Sequence, residues 1–359
     1  MANQLTLLNH SSAIIALNDK FITEPHSGFQ EDDGIEIPVL RIPRNRPLNE
    51  RVDLAKKYID DFDPDWLSLQ YVIFSFHPKG LPVGLNKQLK LLGKGRRWHI
   101  MFHELWVQPE LQPTIKIYLW SIAQRQLIRS LITSLKPQVI HTNTRMYLEQ
   151  IEEMGVKAIY LPLFSNIPCY YQPEGGHEAK AIDKGKSELK FIIFGHQHPG
   201  TPVKEFLGEL LHFSRQSDIP VSIDVIGRSG SELENWVKQS EALNLPLHAL
   251  GEQPTEEISR RIAQASIGIS TTPARQIEKS GSVAAIHAHG LPVICVSAPG
   301  RQPVDEAIEL FPGVSLYQQG NLETILKGKL TNPVPNTLES VAVKFINELE
   351  HAEVETGSL

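Results

Sequence analysis

Short apolar runs that end in glycine or proline alternate with amphipathic segments through the second half of the chain, and this alternation constrains the fold most. Such runs lie at residues 189–194 (LKFIIF), 221–226 (VSIDVI), 266–270 (SIGIS) and 291–296 (LPVICV). Apolar runs of about four to eight residues with helices between them are typical of a parallel sheet covered on both faces. The second half is therefore predicted to be a doubly wound, Rossmann-like α/β domain.

The first half shows the same alternation less regularly. Strands are predicted at QLTLL, EIPVLRI, WLSLQ, HIMF, QVIH and KAIYLPL, and helices at residues 50–61 and 115–135. Residues 173–185 are rich in glycine and charge, which suits a linker or exposed loop. We therefore expect one domain at residues 1–172 and a second at 186–334. A helical apolar pattern follows at residues 337–350.

Composition excludes several classes of protein. The 359 residues suffice for two or three domains of about 150 residues. The net charge of −6 argues against a nucleic-acid-binding protein, which usually carries a basic excess. Cys169 and Cys295 are too few for a disulfide scaffold and fit a reduced cytoplasm. No lysine or arginine precedes Lys20, and no apolar run approaches about 18 residues, so we expect a cytoplasmic protein with at most peripheral membrane contact.

The strongest candidate for a binding site is the segment around Glu278, Lys279 and Ser280-Gly281-Ser282. Here a predicted strand ends at Ser270 and a helix of small residues begins. Serine is a good helix N-cap, and Gly281 has no side chain to keep an anion from the backbone. The free amides and the helix dipole favour an anion, and Lys279 adds a full positive charge. The same pattern also fits a plain helix cap beside a solvated lysine.

This segment resembles the donor-binding signature of the group-1 retaining glycosyltransferases, which have the GT-B fold. Glu278-Lys279-Ser280-Gly281 matches the first part of the pattern, and residues 288–293 (AHGLPV) match the last part. The family has a second glutamate between them that commonly holds the nucleotide ribose. Its place falls here on Ala285 or Ile286, so the motif is degenerate.

Two further strand ends in the second half carry the same resemblance. Gly195-His196, with Lys204 further on, occupies the place of the family's Gly-Arg…Lys element, whose basic side chains face the donor diphosphate. His196 stands where arginine is usual. Gly227-Arg228 resembles the glycine-rich turn after the next strand. Taken singly, His196, His198 and Lys204 are also compatible with ordinary loop and helix-surface side chains.

In the first half, His103-Glu104 follows the predicted strand HIMF. The pair resembles the His-Glu or His-Asp pair that commonly lines the cleft of these enzymes, where a histidine can bond donor hydroxyls or contact the reacting centre. The resemblance thus implies His103, Glu104 and Glu278 as catalytic residues. It covers roughly Trp66 to Val296 and is specific only in the second half.

The resemblance implies an α/β fold of the GT-B class, two Rossmann-like domains facing each other across a cleft, with residues 335–359 packing back on the first. The activity implied is transfer of a sugar from a nucleotide-diphosphate donor to a glycan or lipid-linked acceptor in polysaccharide biosynthesis. The nucleotide sugar is a co-substrate, and we expect no cofactor, no metal and retention of configuration. The second domain would bind the donor, and its diphosphate contacts would come from His196, Lys204, Lys279, Ser280, Gly281 and Ser282, with Gly195, Gly227 and Arg228 nearby.

Several alternatives remain open or are set aside. A sugar-nucleotide epimerase or hydrolase on the same fold, and a non-catalytic nucleotide-sugar-binding relative, are the competing functions. The Asp-x-Asp spacing within residues 61–65 lies before a strand, the wrong edge of the sheet for a donor-site metal. His99 and His103 lie about 13 Å apart along a strand, too far to share a zinc ion. The absence of a G-x-G-x-x-G sequence disfavours a nicotinamide dehydrogenase.

Overall fold

The computed structural model describes residues 1–32, 34–107, 114–171, 188–298, 311–328, 330–331, 333 and 335–357. The chain forms two compact units, one of Met1–Leu161 with Leu338–Leu359 and one of Pro162–Thr337. The segment 173–185, predicted to be a linker or exposed loop, lies outside the described residues. The two units are described in turn.

The first unit contains two sheets. Its strands are β1 (Ile14–Asp19), β2 (His26–Asp32), β3 (Ile35–Pro43), β4 (Trp66–Tyr71), β5 (Arg97–Phe102), β6 (Val139–Thr142) and β7 (Ile159–Tyr160). Strands β1, β3 and β2 form one sheet in that order, with β2 antiparallel to β3, and β4-β5-β6-β7 form a fully parallel sheet. Its helices are α1 (Ala2–Leu7), α2 (Leu48–Phe62), α3 (Ile73–Phe76), α4 (Leu85–Leu92), α5 (Ile115–Leu135) and α6 (Arg145–Glu152).

The sequence predicted most of these elements. Helix α5 has the predicted bounds, and its N-cap Thr114 accepts a hydrogen bond from the N–H of Ile117. The strand predicted at QLTLL is wrong, because these residues lie in and just after the helix α1. An apolar run this short has no periodicity that separates a helix from a strand. The hairpin of β2 with β3 was not anticipated either, since β2 is polar and largely exposed.

The second unit is one parallel sheet with helices on both faces. Its strands are β8 (Leu189–Phe194), β9 (Val221–Ile226), β10 (Leu247–Gly251), β11 (Ile267–Ser270), β12 (Val293–Cys295) and β13 (Val314–Leu316). Its helices are α7 (Val203–Ser217), α8 (Leu233–Leu243), α9 (Thr255–Gln264), a 3₁₀ helix (Ala274–Lys279), α10 (Gly281–Ala288) and α11 (Leu322–Lys327). In β8, Phe191 and Ile193 pack in one buried cluster and Ile192 in another, so both faces are covered as the apolar run predicts.

The strand order of the second unit, β10-β9-β8-β11-β12-β13, is that of a dinucleotide-binding Rossmann domain. The chain builds outward from β8 to β10 and then returns to build outward from β11 on the other side of β8. The side of the sheet to which successive strands are added therefore changes between β8 and β11. Ligands of open α/β sheets bind beyond the carboxyl ends of the strands at this switch point.

The last helix, α12 (Leu338–Gly357), belongs to the first unit. Val341, Ala342 and Phe345 are buried on it. Phe345 lies edge-to-face against His99, with ring centroids 5.0 Å apart. At the far end of the helix, Glu353 accepts a hydrogen bond from the indole N–H of Trp66, 2.8 Å away. Helix α12 therefore covers the face of the parallel sheet that carries His99.

Candidate functional site

Two loops of the second unit meet at the switch point. The backbone N–H of His198, after β8, donates to Oγ1 of Thr271, after β11, at 2.9 Å. Gly195 ends β8 with φ +84°, and a Cβ at that position would lie 2.9 Å from Oγ of Ser282. Glycine is thus required at residue 195 by its backbone conformation and by the close approach of α10. The first turn of α10 lies directly against the end of β8.

The start of α10 is built as the sequence predicts. Oγ of Ser280 accepts a hydrogen bond from the N–H of Val283, which confirms the N-cap, and it also accepts one from Oγ1 of Thr272 at 3.2 Å. By helix geometry, the N–H groups of Gly281 and Ser282 have no acceptor within the helix. Gly281 is exposed, and a Cβ built on it would meet no atom within 4 Å. The backbone at this helix start is therefore open to a ligand.

Nitrogen-bearing side chains gather beside this helix start. The rings of His196 and His198 lie edge-to-face with centroids 5.5 Å apart. Burial lowers the pKa of His198, and the charges of His196 and Lys279 lower it further. The ammonium group of Lys279 and the imidazole rings of His196 and His198 thus stand near the N-terminus of a helix. This arrangement suits an anion.

Glu278 and Lys279 lie at the end of the 3₁₀ helix Ala274–Lys279. Glu278 is buried, with 8% of its surface exposed, and Lys279 is half-buried. Ile277 is also buried in this turn, and it anchors the turn to the core. The turn that carries Glu278 and Lys279 is therefore held in place by packing.

The glycine turn after β9 lies against the loop after β8. Gly227 has φ +95°, and a Cβ there would lie 3.3 Å from the backbone nitrogen of Gly195. The ring of His196 lies so close to the backbone of Gly230 that any Cβ at Gly230 would collide with it. The resemblance in the sequence pointed to this turn through Gly227 and Arg228, not through Gly230. The sequence feature that could have identified Gly230 is a glycine near the end of a strand, beside a predicted site.

Gln197 was also missed. Its side chain is fully buried, its amide donates to the carbonyl of Gly195, and its Oε1 accepts no hydrogen bond from the residues that the structure describes. Nothing in the local sequence distinguishes it from a solvated loop glutamine.

Two predicted residues stand apart from this group. Lys204 is exposed at the second position of α7, and in the described part of the chain no hydrogen bond or ion pair joins its side chain to the switch-point loops. Arg228 forms an ion pair with Glu252 at 2.9 Å, and both side chains are largely exposed. The structure therefore brings together Gly195, His196, Gly227, Lys279 and the segment 280–282. The side chains of Lys204 and Arg228 lie less close to this group.

In the first unit, His103 lies at the carboxyl end of β5 and begins a chain of hydrogen bonds across the sheet. Its Nε2 bonds Oε1 of Gln70 at 2.9 Å, and the amide of Gln70 donates to Oγ of Ser68 at 2.8 Å. Ser68 is joined to Nδ1 of His99 at 2.8 Å, and Nε2 of His99 to Nδ1 of His141 at 2.9 Å. These residues share one face because side chains alternate along strands in register.

Burial sets the protonation state of the histidines in this chain of hydrogen bonds. It lowers the pKa of His103, and together with neighbouring histidines it holds the pKa of His99 well below its usual range. Burial and the charge of Lys344 lower the pKa of His141 to about 4. The histidines are therefore neutral near pH 7. Neutral His103 can accept a proton or hydrogen-bond a hydroxyl.

Glu104 follows His103 and is half-buried. Its charge, with the larger effect of burial, raises the pKa of Tyr147 to about 12. Asn143, at the carboxyl end of β6, is also buried, and its Oδ1 has no hydrogen-bond partner among the described residues. His103, Glu104 and Asn143 thus place polar groups at the ligand-binding edge of this sheet.

Within the described ranges, no three or more histidine, cysteine, aspartate or glutamate side chains are grouped so that they could hold a metal ion. Asp63, in the Asp-x-Asp segment, forms an ion pair with Arg96 at 2.9 Å. No helix in the described part of the chain is long and apolar enough to span a membrane.

No protein-family model matches the sequence, and no curated protein matches it significantly. Among solved structures, the chain is similar to Anabaena HepE in complex with UDP and glucose, with a TM-score of 0.51 and 16% identity over 90% of this chain and 87% of that one. HepE in complex with UDP gives a TM-score of 0.50 at the same identity and coverage. The lipopolysaccharide outer core galactosyltransferase WaaB, in its apo form, gives 0.47 at 15% identity over 89% of this chain and 87% of that one.

At such identities the likeness concerns the fold. The chain is an α/β protein of the GT-B class with two Rossmann-like units, as the sequence resemblance implied.

Proposed function

We propose that this protein is a glycosyltransferase that moves a sugar from a nucleotide-diphosphate donor to a glycan or lipid-linked acceptor. The observation that carries the proposal is the switch point of the second unit. There the open N-terminus of α10 lies beside Lys279, His196 and His198. A diphosphate is the anion that such a strand edge binds in Rossmann-like domains.

The chemistry follows from charge. When the glycosidic bond to the donor breaks, negative charge develops on the departing diphosphate. Lys279 and the N–H groups of Gly281 and Ser282 would stabilise that charge in place, because they are already positioned by the 3₁₀ helix and by the Ser280 cap. Neutralisation by these groups is our reason to propose a reaction without a metal and without a cofactor. Lys204 and Arg228 are kept as secondary contacts.

The catalytic roles of Glu278, His103 and Glu104 are part of the proposal and rest on the sequence resemblance. Glu278 would bind hydroxyls of the donor sugar, so Glu278→Gln should leave binding of the free nucleoside diphosphate unchanged and slow transfer. His103→Gln should likewise slow turnover without weakening that binding. Retention of configuration rests on the same resemblance and is read from the anomeric signal of the product by NMR.

The experiment is a donor screen followed by product analysis. HepE, which shares the fold, is seen with UDP and glucose, so UDP-sugars are tested first. A ligand at 100 times its Kd adds about 2.7 kcal/mol to the unfolding free energy, which a thermal shift detects. Donors that bind are then incubated with glycan and lipid-linked acceptors. A transferred sugar supports the proposal. Free sugar alone or an epimerised donor identifies a hydrolase or epimerase instead.

One observation favours a second candidate, a non-catalytic protein that binds nucleotide sugars. Ala285 and Ile286, the two places where the second glutamate of the motif would fall, are both fully buried in an apolar cluster. Helix α10 therefore offers no carboxylate to a ribose at either place. Binding of a donor without turnover in any acceptor assay would favour this candidate, and turnover would exclude it.

A further inference from the structure

The two ring nitrogens of His103 have different surroundings. Nε2 lies 2.9 Å from Oε1 of Gln70, and no group in the described part of the chain forms a hydrogen bond with Nδ1. An amide oxygen can only accept a hydrogen bond, so the proton in this contact belongs to Nε2 of His103. A neutral imidazole has one N–H and one bare nitrogen, and burial lowers the pKa of His103. In the neutral ring Nδ1 is therefore the bare nitrogen.

The backbone fixes the distance between Gln70 and His103. Gln70 is exposed on β4, but its neighbours Leu69 and Tyr71 are buried and pack in the core of the first unit. The backbone N–H of His103 donates to the carbonyl of Tyr71 at 3.0 Å. The residue after β5 is thus joined to the last residue of β4, directly beside Gln70. The two side chains are held within reach of each other by strand register.

The amide of Gln70 is also held at its other end. Its nitrogen donates to Oγ of Ser68 at 2.8 Å, which leaves the amide oxygen for His103. Ser68 in turn lies 2.8 Å from Nδ1 of the buried His99. A hydroxyl both donates and accepts, so Ser68 can accept from Gln70 whichever nitrogen of His99 carries the proton. The direction of the hydrogen bond at His103 therefore depends on the amide of Gln70 and not on the buried histidines.

A bare Nδ1 restricts what the neutral ring of His103 can bind there. This nitrogen accepts a hydrogen bond, and it has no proton to donate to an oxygen that lacks a hydrogen. A hydroxyl group satisfies it, whereas the ionised oxygens of a phosphate do not. The carboxyl end of β5 thus favours a hydroxyl, in contrast to the open amides at the start of α10, which favour an anion.

We propose that Gln70 is a positioning residue, which holds neutral His103 with its proton on Nε2 so that Nδ1 accepts a hydrogen bond from a hydroxyl of the substrate. Gln70 acts through His103 and is not required to touch the substrate. That the hydroxyl belongs to a sugar rests on the proposed glycosyl transfer. The position of the proton, however, is a property of the free protein.

The test locates the proton by ¹⁵N NMR of the full chain, labelled at histidine and without a ligand. At about pH 8, above the ordinary histidine pKa of about 6.5, the ¹⁵N chemical shifts distinguish a protonated ring nitrogen from a bare one. The signals of His103 are those that are absent from the spectrum of His103→Gln. We expect the unmodified chain to carry this proton on Nε2.

Two substitutions separate the chemistry of Gln70 from its shape. Gln70→Met keeps the length of the side chain and removes the acceptor. The ratio of the Nε2–H form to the Nδ1–H form of His103 should then fall roughly two- to twelvefold, which corresponds to the net contribution of one hydrogen bond. Gln70→Glu keeps an oxygen acceptor and should retain the Nε2–H form. The matched control Gln30→Met makes the same change at an exposed glutamine of β2 and should leave the ratio unchanged.

Turnover gives a second readout. Gln70→Met should lower kcat for sugar transfer by up to about twelvefold, and Gln70→Glu should restore it, since both act through the same nitrogen of His103. The affinity for nucleoside diphosphate should stay the same in both variants, because its proposed site lies in the second unit. Circular dichroism checks that every variant is folded.

Three results would overturn the proposal. The first is a proton on Nδ1 of His103 in the unmodified chain, and the second is a ratio of the two forms that Gln70→Met leaves unchanged. The third is an unchanged kcat in a Gln70→Met protein whose ratio has shifted. If the unmodified chain transfers no sugar from any donor, the proposed function fails instead, and the NMR spectra still decide whether Gln70 sets the position of the proton.

Discussion

At the scale of single residues, Gly281 gives the sharpest contrast between function and stability. Its backbone does not have positive φ, and a Cβ would meet no atom within 4 Å, so a side chain is tolerated by the fold. A branched side chain would, however, stand over the open amides of α10. We expect Gly281→Val to lower nucleoside diphosphate affinity at least tenfold, or by about 1.4 kcal/mol, with no loss of stability, because glycine is the poorer helix former. Calorimetric titration and thermal unfolding of the same samples measure both.

The matched control is Gly208→Val. Gly208 lies within α7, and a Cβ there would also meet no atom within 4 Å. This variant should bind the diphosphate like the unmodified chain. Equal affinity of the Gly281→Val protein would show that no anion approaches the start of α10.

Residue-level reasoning from the sequence identified the Ser280 cap and the open Gly281, because capping and glycine rules are local. It could not identify Gln197, whose burial depends on the packing of the loop after β8. Nor could it find the contact of His198 with Thr271, since these residues are 73 positions apart. Contacts of that kind depend on strand order, which no local pattern specifies.

At the scale of elements, the packing of α12 on the first unit makes a prediction. Phe345 is 8% exposed and lies between the rings of His99 and His141, whereas Val343 on the same helix is 41% exposed. Phe345→Ala should lower the unfolding free energy by about 3–5 kcal/mol, because it leaves a cavity in the core. Val343→Ala should change it by less than about 0.5 kcal/mol. Denaturant unfolding compares the two variants, provided that their m-values are equal. Equal losses of unfolding free energy in Phe345→Ala and Val343→Ala would mean that α12 is not packed on this sheet.

The elements themselves were largely readable from periodicity. The strands β8, β9 and β11 and the helix α5 were predicted because each is long or strongly patterned. Helix α1 and strand β2 were not, because a short apolar run and a polar edge strand carry little pattern. The hydrogen bonds that join Ser68, His99 and His141 also could not be predicted from the sequence, since they depend on the register of three separate strands.

At the scale of the whole molecule, buried histidines predict how stability depends on pH. The pKa values of His141 and His287 are lowered to about 4, below the usual 6.5, chiefly by burial. Between these values the unfolded chain binds protons that the folded chain does not, so the unfolding free energy falls as pH falls from 6.5 toward 4. The slope is at most about 1.4 kcal/mol per pH unit for each histidine. Carboxylates whose pKa is lowered in the folded chain, such as Glu257, lose their stabilising contribution only below about pH 4.5, the pKa of the unfolded chain.

Denaturant unfolding at several pH values between 7 and 5 measures this slope. His141→Gln should flatten it, and His212→Gln, which changes an exposed histidine of α7, should leave it as it is. A slope that His141→Gln does not change would mean that His141 titrates alike in the folded and unfolded chain.

The central claim is that the switch point of the second unit binds the diphosphate of a nucleotide sugar, and calorimetric titration of Lys279→Ala tests it most directly. Lys279 directly precedes Ser280, the N-cap of α10, at this point, and a charge-assisted contact is commonly worth about 1.5–3 kcal/mol. In chelator, at least one nucleoside diphosphate should bind the unmodified chain and the control Lys238→Ala equally, and bind Lys279→Ala roughly 10- to 150-fold more weakly. Binding that Lys279→Ala leaves unchanged, or no binding of any nucleoside diphosphate, would contradict the claim.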